Sequence, residues 1–200
     1  MAINIIGITG PSGAGKSFVC TYLAKRNIPI IDADEVYHSL LTGGSPCTLA
    51  LAKEFGKEIL DNNRAPDRKK LGAIVFSSDE KLQKLNSIVL GFVIDKINEM
   101  IAELSAAGEK NVAVDAPTLI ESGFHKECDS VVSILAPKEV RIKRICERDG
   151  ISKDRAILRI NAQKNDDFYK NNSDHIIIND ADEDTFYKKA EELFCRIIVA

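Results

Sequence analysis

Short, nearly continuous apolar runs alternate along the chain with longer stretches in which apolar residues recur every three or four positions. The first pattern is typical of strands covered on both faces of a parallel sheet, and the second of amphipathic helices. Their alternation predicts a parallel sheet with right-handed helical crossovers. The predicted strands are INIIGIT (3–9), IPIID (28–32), NVAVDAP (111–117), SVVSILAP (130–137) and HIIIND (175–180). Helices are predicted at Lys16–Lys25, 138–148 and 152–164, and from about Asp182.

The segment between the second and third predicted strands, residues 35–110, has a helical pattern almost throughout. Its longest periodic stretch runs from about Asp79 to Ala106, and turns are predicted at TGGSP and DNNRAPD. Because this segment is too long for one crossover, it is predicted to be an inserted helical subdomain beside the carboxyl ends of the strands, where α/β sheets bind ligands. We expect it to recognise a second substrate.

A glycine-rich turn, GPSGAGKS, links the first predicted strand to the first predicted helix. It fits the motif G-x-x-x-x-G-K-[ST] in the strand–turn–helix context that the motif requires. The glycines allow successive N–H groups to turn inward, and the helix directs its positive end to the same point. Lys16 is expected to reach the terminal phosphates, and the Ser17 hydroxyl to bind Mg²⁺. The predicted nucleoside triphosphate site comprises Gly10, Pro11, Ser12, Gly13, Ala14, Gly15, Lys16, Ser17 and Phe18.

Two aspartates, Asp32 and Asp34, follow the second predicted strand in IIDADEV. Strand alternation is expected to send both side chains to the same side, at the strand end. A kinase that acts on a hydroxyl needs a carboxylate to orient that group and accept its proton. We assign this role to Asp34 and a supporting role, by capping or hydrogen bonding, to Asp32. The alternative is that an aspartate here merely caps a helix beginning near Glu35.

Asp115 ends the third predicted strand, NVAVD. In proteins with this glycine-rich turn, an acid in that position commonly holds Mg²⁺ or its bound water beside the turn's hydroxyl group. Asp115 is therefore predicted to contribute to the Mg²⁺ site together with Ser17. The alternative is another cap at a strand end.

Arginines recur at helical spacing after the fourth predicted strand. Arg144 and Arg148 are four residues apart and share a helix face, and Arg155 and Arg159 repeat that spacing beyond a turn at Gly150. Two such helices are predicted to form a lid that excludes water and neutralises charge in the transition state. The alternative is a solvated face with local ion pairs.

The overall composition limits the kinds of binding partner and the cellular compartment to be expected. The hydrophobic fraction of 44% and charged fraction of 28% are ordinary for a globular chain, and the net charge of -3 argues against a general nucleic-acid or membrane binder. The five scattered cysteines are typical of reduced thiols, and the first apolar run is too short for a signal peptide or membrane span. We expect a cytoplasmic monomer or weak homo-oligomer.

The order and spacing of these segments resemble the dephospho-CoA kinase family over nearly the whole chain. The matching landmarks are ITGPSGAGKS, IDADEV, DAPTLIESGF, KRICERDGIS, RINAQ and SDHIIIND. The resemblance implies a P-loop kinase-like, three-layer α/β/α fold with a central parallel five-stranded sheet. It also implies one domain with three parts: a nucleotide core (about 1–34, 110–140 and 174–200), a helical substrate subdomain (about 35–109) and a helical lid (about 141–170).

The family resemblance also implies a reaction, which is transfer of the γ-phosphate of ATP to the ribose 3′-hydroxyl of dephospho-CoA. Asp34 would be the base, with Thr9, Lys16 and Ser17 near the phosphates. Arg144 and Arg148 would act from the lid, and Asn179 would lie where related kinases bring backbone to the adenine.

Two segments depart from the family pattern. Leu90 and Gly91 stand where the family usually has His-Pro, and Thr118 and Ile120 replace apolar or aromatic residues in the segment PTLIE. Both departures fall in regions expected to touch the acceptor. Two other functions therefore remain open: a P-loop kinase for a nucleoside monophosphate or a sugar, and a non-catalytic nucleotide sensor derived from such a kinase.

Overall fold

A five-stranded parallel sheet organises the chain in the computed structural model, which describes residues 2–199. The strand order is β2-β3-β1-β4-β5, with the first strand in the middle. The predicted three-layer α/β fold with a five-stranded parallel sheet is confirmed. The strands are β1 (Asn4–Thr9), β2 (Ile30–Asp32), β3 (Asn111–Asp115), β4 (Ser130–Leu135) and β5 (His175–Ile178).

The helices agree closely with the periodic segments of the sequence, and α5 has the predicted bounds. The stretch after residue 164 differs, because Asn165 accepts a hydrogen bond from the Phe168 backbone and so starts a separate short helix, α8. The helices are α1 (Lys16–Ala24), α2 (Ala33–Leu40), α3 (Pro46–Phe55), α4 (Arg68–Val75), α5 (Asp79–Ala106), α6 (Lys138–Asp149), α7 (Lys153–Asn161), α8 (Asp166–Asn171) and α9 (Glu183–Ile197). Short 3-10 turns lie at Lys57–Ile59 and Phe124–Glu127.

The chain divides into two compact units. The first contains the residues up to Ile31 together with those from Glu103 onwards, and the second is Asp32–Ala102. The second unit is helical, and α5 buries one stripe at four-residue intervals: Val89, Val93, Ile97 and Ile101.

Strand β1 forms the centre of the first unit's core. Ile6 and Ile8 are fully buried, as are Val19 and Leu23 of α1 and Phe194 of α9. Burial of each such side chain stabilises the fold by about 1.5–3 kcal/mol. The sheet therefore holds the end of β1, where the next loop begins, in a fixed position.

Register brings the functional ends of three strands to one edge of the sheet. Ile8 is opposite Asp115 of β3, and Thr9 is opposite Ser133 of β4. Because the strands are parallel, the segments that follow β1, β3 and β4 all leave the sheet at this edge.

Helices α6 and α7 have a small apolar core of their own, formed by Ile142, Ile145, Ala156 and Ile160. Gly150 ends α6 with a φ of 63°, a left-handed conformation that glycine adopts without strain. The turn predicted at this glycine is confirmed.

Residues 2–199 contain no helix that is both long and apolar enough to cross a membrane. The five cysteines are free thiols.

Candidate active site

The turn after β1 has the backbone conformation that its glycines predict. Gly10, Gly13 and Gly15 have φ values of 135°, 79° and 111°, which side-chain-bearing residues rarely adopt. A Cβ atom on Gly10 would lie 2.2 Å from the Ile134 backbone oxygen, so this position also has no room for a side chain. The turn, residues 10–17, is called the phosphate loop below.

Helix α1 begins directly from the phosphate loop with its first N–H groups available to a ligand. Gly15 is the N-cap residue, and no side chain among residues 2–199 caps this end of the helix. The N-terminus of a helix is electropositive, so it attracts a phosphate group. The Lys16 ammonium group reaches across the loop and donates to the Gly10 oxygen at 3.3 Å.

Arg144 of α6 contacts the phosphate loop directly. Its guanidinium donates to the backbone oxygen atoms of Gly13 at 3.3 Å and Ala14 at 3.4 Å. It also donates to Oδ1 of Asn179 at 3.1 Å. The structure thus places this predicted lid arginine beside the loop.

Arg148 reaches the same loop one helical turn later, where its Nη2 donates to the Ser12 hydroxyl at 3.3 Å. It also forms a 2.7 Å ion pair with Asp149, which Arg159 joins from α7. The hydrogen bond from Arg148, reinforced by Arg159, lowers the pKa of Asp149 to about 2. For Arg159, the structure therefore shows the local ion pair of the alternative interpretation.

Asn179 lies directly after β5 and is 5% exposed. Its Nδ2 donates to the Ala14 oxygen at 2.9 Å, and its backbone N–H donates to the Leu135 oxygen at 2.7 Å. A Cβ atom on Gly15 would lie 2.4 Å from Nδ2, so this contact depends on the glycine. The sequence pointed to the backbone of Asn179 and missed the contact that its side chain makes with the loop.

Sequence reasoning also missed Arg141 and Gln163. Arg141 Nε donates to the Ser12 backbone oxygen at 3.0 Å, and its Nη2 donates to Oε1 of Gln163 at 2.8 Å. A signal for Arg141 was present, because it shares a helix face with Arg144 and Arg148 at the i, i+3 and i+7 positions. Burial lowers the pKa of Arg141, whose side chain is enclosed beside the loop.

Ser17 and Asp115 offer oxygen donors of the kind that Mg²⁺ prefers. Asp115 is at the end of β3, and its Oδ2 accepts a hydrogen bond of 3.4 Å from the thiol of Cys20. Cys20 lies on α1 three residues after Ser17, so the carboxylate reaches the helix that presents the hydroxyl. Because Mg²⁺ on a nucleotide usually takes few protein ligands and completes its shell with phosphate and water, this donor set fits the ion.

Asp32 and Asp34 belong to the second unit. The prediction that they alternate along a strand is wrong, because a helix begins between them. Oδ1 of Asp32 accepts hydrogen bonds from the backbone N–H groups of Asp34 at 2.8 Å and Glu35 at 3.2 Å. This cap ends β2 at Asp32 and starts α2 at Ala33, so Asp34 is an exposed residue of the first helical turn. The capping role predicted for Asp32 is confirmed.

Two other predicted residues have mainly internal contacts. The buried Thr9 hydroxyl donates to the Pro117 oxygen at 3.3 Å. The Phe18 ring packs against Phe186, with 5.0 Å between ring centroids, and against Tyr187 at 6.5 Å. Thr9 therefore ties β1 to the segment after β3, and Phe18 ties α1 to α9.

The central strand of the parallel sheet leads into the phosphate loop, and arginines from the helix after β4 contact that loop. These features are those of a P-loop kinase. The sequence model of the family described as dephospho-CoA kinase matches residues 4–184. The chain belongs to the dephospho-CoA kinase family, as the sequence landmarks indicated.

Individual relatives agree with this assignment over most or all of their length. The dephospho-CoA kinase of Fusobacterium nucleatum is 36% identical over 198 residues, covering 99% of this chain and 100% of the relative. The dephospho-CoA kinase of Arabidopsis thaliana is 35% identical, covering 98% of this chain and 84% of the relative.

Solved structures show the same similarity in three dimensions. The dephospho-CoA kinase from Campylobacter jejuni matches with a TM-score of 0.71 and 26% identity, covering 97% of this chain and 96% of that one. TT1252 from Thermus thermophilus matches with a TM-score of 0.83 and 25% identity, covering all of both chains. A shikimate kinase from Acinetobacter baumannii, 17% identical with a TM-score of 0.52 and covering 98% of this chain and 93% of that one, shares the fold.

Proposed function

We propose that this protein transfers the γ-phosphate of ATP to the ribose 3′-hydroxyl of dephospho-CoA, giving CoA and ADP, the last step of coenzyme A biosynthesis. Membership of the dephospho-CoA kinase family across residues 4–184 carries this assignment. The structure adds a phosphate loop whose N–H groups and neighbouring cations suit a triphosphate.

The phosphate loop and its cations bind the triphosphate. Backbone N–H groups at the start of α1 donate hydrogen bonds to the phosphate oxygens, and Lys16 swings from the Gly10 oxygen to the terminal phosphates. Arg144 and Arg148 neutralise the charge that develops on the leaving ADP. Their contacts with the loop support this role, because they place both guanidinium groups next to the phosphate-binding backbone.

Ser17 and Asp115 hold Mg²⁺ in this proposal, the first through its hydroxyl and the second directly or through a bound water. When bound, the ion would offset the negative charge of the triphosphate and so favour attack at the γ-phosphorus. The hydrogen bond from Cys20 supports the assignment, because it keeps the Asp115 carboxylate turned towards α1.

Asp34 acts as the base in this proposal. Its carboxylate orients the 3′-hydroxyl and accepts the proton as that oxygen bonds to the γ-phosphorus and the bond to the ADP oxygen breaks. Two features support the role: the Asp34 side chain is exposed, and its backbone N–H is held by Asp32. The cap fixes the backbone and leaves the carboxylate available to a substrate.

Each of the three parts of the chain has its own role in this proposal. Residues about 1–34, 110–140 and 174–200 hold the nucleotide, residues about 35–109 receive the acceptor, and residues about 141–170 form the lid. Asn179 and Phe18 border the nucleoside. We place the enzyme in the cytoplasm as a monomer or weak homo-oligomer, and the five free thiols support a reducing compartment.

The comparisons favour dephospho-CoA kinase over a nucleoside monophosphate kinase, a sugar kinase or a nucleotide sensor. Leu90, Gly91, Thr118 and Ile120 are then substitutions that the acceptor site tolerates.

The test is ADP release by the purified protein with Mg²⁺-ATP, measured without an acceptor and with dephospho-CoA, adenosine, AMP or gluconate. We expect turnover with dephospho-CoA alone. Turnover with another acceptor instead would keep the kinase and overturn the substrate. ATP binding without turnover on any acceptor would favour the sensor.

A further inference from the structure

Ser12 of the phosphate loop has all three of its polar groups bonded to side chains from α6 and from the residue after the α7 C-cap. Its N–H donates to Oε1 of Gln163 at 3.2 Å, and its backbone oxygen accepts from Nε of Arg141 at 3.0 Å. Its hydroxyl accepts from Arg148 at 3.3 Å. The two backbone contacts would exist whatever side chain stood at position 12.

The two backbone contacts of Ser12 belong to a closed ring. Arg141 Nη2 donates to the same Gln163 oxygen that accepts the Ser12 N–H, at 2.8 Å. Oε1 of Gln163 thus uses both of its lone pairs, one on the loop and one on the guanidinium. Below, this arrangement of Ser12, Arg141 and Gln163 is called the Ser12 ring.

The burial of Arg141 in the Ser12 ring costs free energy of folding. Arg141 is 5% exposed, and its two hydrogen bonds go to neutral oxygen atoms. A guanidinium withdrawn from water costs free energy that hydrogen bonds of good geometry offset only in part. An apolar side chain would fill this space more cheaply, but it could not hold the Ser12 peptide.

The neighbours of Ser12 show what the ring constrains. Gly10 and Gly13 have positive φ, so the free loop could adopt many other backbone conformations. A phosphate site gains affinity when its N–H groups are already in place, because binding then costs less conformational entropy.

We propose that Arg141 and Gln163 are positioning residues for phosphoryl transfer, which hold the Ser12 peptide so that the phosphate loop is preorganised for the nucleotide. Neither needs to touch the phosphates, since both act through the loop backbone. This inference rests on the proposed function for its reaction, but its effect on nucleotide binding can be measured without any acceptor.

The chain offers a matched control for the Ser12 ring. Lys138 Nζ donates to Oδ1 of Asn161 at 3.2 Å, so this pair joins α6 to α7 without contacting the loop. Asn161→Ala removes a hydrogen bond between the same helices and leaves the Ser12 ring intact.

The experiment compares Gln163→Met, Arg141→Met, the double variant and Asn161→Ala. Calorimetry gives the dissociation constant for ADP with Mg²⁺, and steady-state kinetics give kcat and the KM values for ATP and dephospho-CoA. We expect Gln163→Met to weaken ADP binding about tenfold, because the Ser12 N–H loses its partner, and to leave the KM for dephospho-CoA unchanged. The double variant should lose little more than the weaker-binding single variant, and Asn161→Ala should bind ADP within about twofold of the parent.

A purely structural role would lower the melting temperature of the Gln163→Met variant and leave the ADP dissociation constant of its folded fraction unchanged. That result would overturn the proposal, and so would additive losses in the double variant. If Arg141→Met fails to fold, Arg141→Lys replaces it, since lysine retains a donor but cannot bridge both oxygens. A different acceptor would alter only the kinetic arm, whereas loss of ADP binding by the parent protein would remove the basis of both proposals.

Discussion

The two strand-to-helix turns that follow β1 and β2 solve the same local problem in opposite ways. Both must satisfy the N–H groups that open a helix. After β1, a glycine loop leads into α1, and no described side chain caps that helix. After β2, α2 starts at once, and the Asp32 carboxylate accepts hydrogen bonds from two of its backbone N–H groups.

The difference decides what each turn can do. The uncapped end of α1 keeps its electropositive groups for an external anion, so it can bind phosphate. The capped end of α2 satisfies its own N–H groups and carries two more acids, Asp34 and Glu35, in its first turn. Such an end repels phosphate but suits a base. In the proposed reaction, the first turn would bind the triphosphate and the second would supply the base.

The largest expected effect separates the two turns by function. Asp34→Asn should lower kcat by about 10²–10⁴, because the variant cannot accept the hydroxyl proton. Its affinity for ADP, measured by calorimetry, should match that of the parent. Glu35→Gln, in the same helical turn, is the control and should keep near-parental turnover; near-normal kcat in Asp34→Asn would remove this residue from the role of base.

A methyl group in the phosphate loop should impair the other turn. Gly15→Ala places a Cβ 2.4 Å from Nδ2 of Asn179 at a φ of 111°. We expect a loss of about 1–3 kcal/mol in the free energy of unfolding from the strained backbone, together with weaker ADP binding. Gly91→Ala of α5 is the contrast, because the added Cβ would have no atom within 4 Å apart from the nearby backbone of its own helix. The higher helix propensity of alanine should raise the free energy of unfolding by about 0.5–1 kcal/mol. Unchanged stability and ADP affinity in Gly15→Ala would show that the loop adapts.

Removing the cap of α2 should have a smaller effect. Asp32→Ala leaves two N–H groups without their acceptor, so the free energy of unfolding should fall by about 0.5–2 kcal/mol, measured by urea denaturation. Asp32→Asn retains an acceptor oxygen and should lose much less. Equal losses in the two variants would mean that the charge of Asp32 matters more than its hydrogen bonds.

The smallest effect concerns Asp149, an acid that pairs with Arg148 of α6 and Arg159 of α7. The hydrogen bond from Arg148 and the contact with Arg159 lower the pKa of Asp149 from 3.8 to about 2. Because the pKa is depressed in the folded state, these contacts stabilise the protein above pH 3.8 and lose that contribution as the pH falls through about 2. An NMR titration of the Asp149 carboxyl carbon should show this midpoint, and Arg148→Met should move it upward; a midpoint near 3.8 in the parent would contradict the ion pairs.

The phosphate loop was predictable from sequence because its determinants are local. The loop glycines, Lys16 and Ser17 fall within eight consecutive residues, and their conformation follows from the residue types. The bounds of α5 were predictable for a related reason, since its apolar stripe repeats over many turns.

Asp34 and α8 were less predictable, because a single side chain decides where the helix begins in each case. Asp32 accepts hydrogen bonds from two backbone N–H groups of the next turn and Asn165 from one. The spacing of apolar residues carries no information about such capping bonds. The Ser12 ring was out of reach for another reason: Gln163 lies 151 residues from Ser12, so only the fold brings them together.

The central position of β1 bears on how the protein is made. This strand is synthesised well before both of its neighbours: the Asn4 side chain pairs with Asn111 of β3, 107 residues later, and β4 follows β3 along the chain. Asn179, which holds the Ala14 oxygen, follows later still. A nascent chain therefore carries β1 as an unpaired apolar strand until β3 and β4 have been made, and Asn179 can hold the phosphate loop only after β5 has followed them.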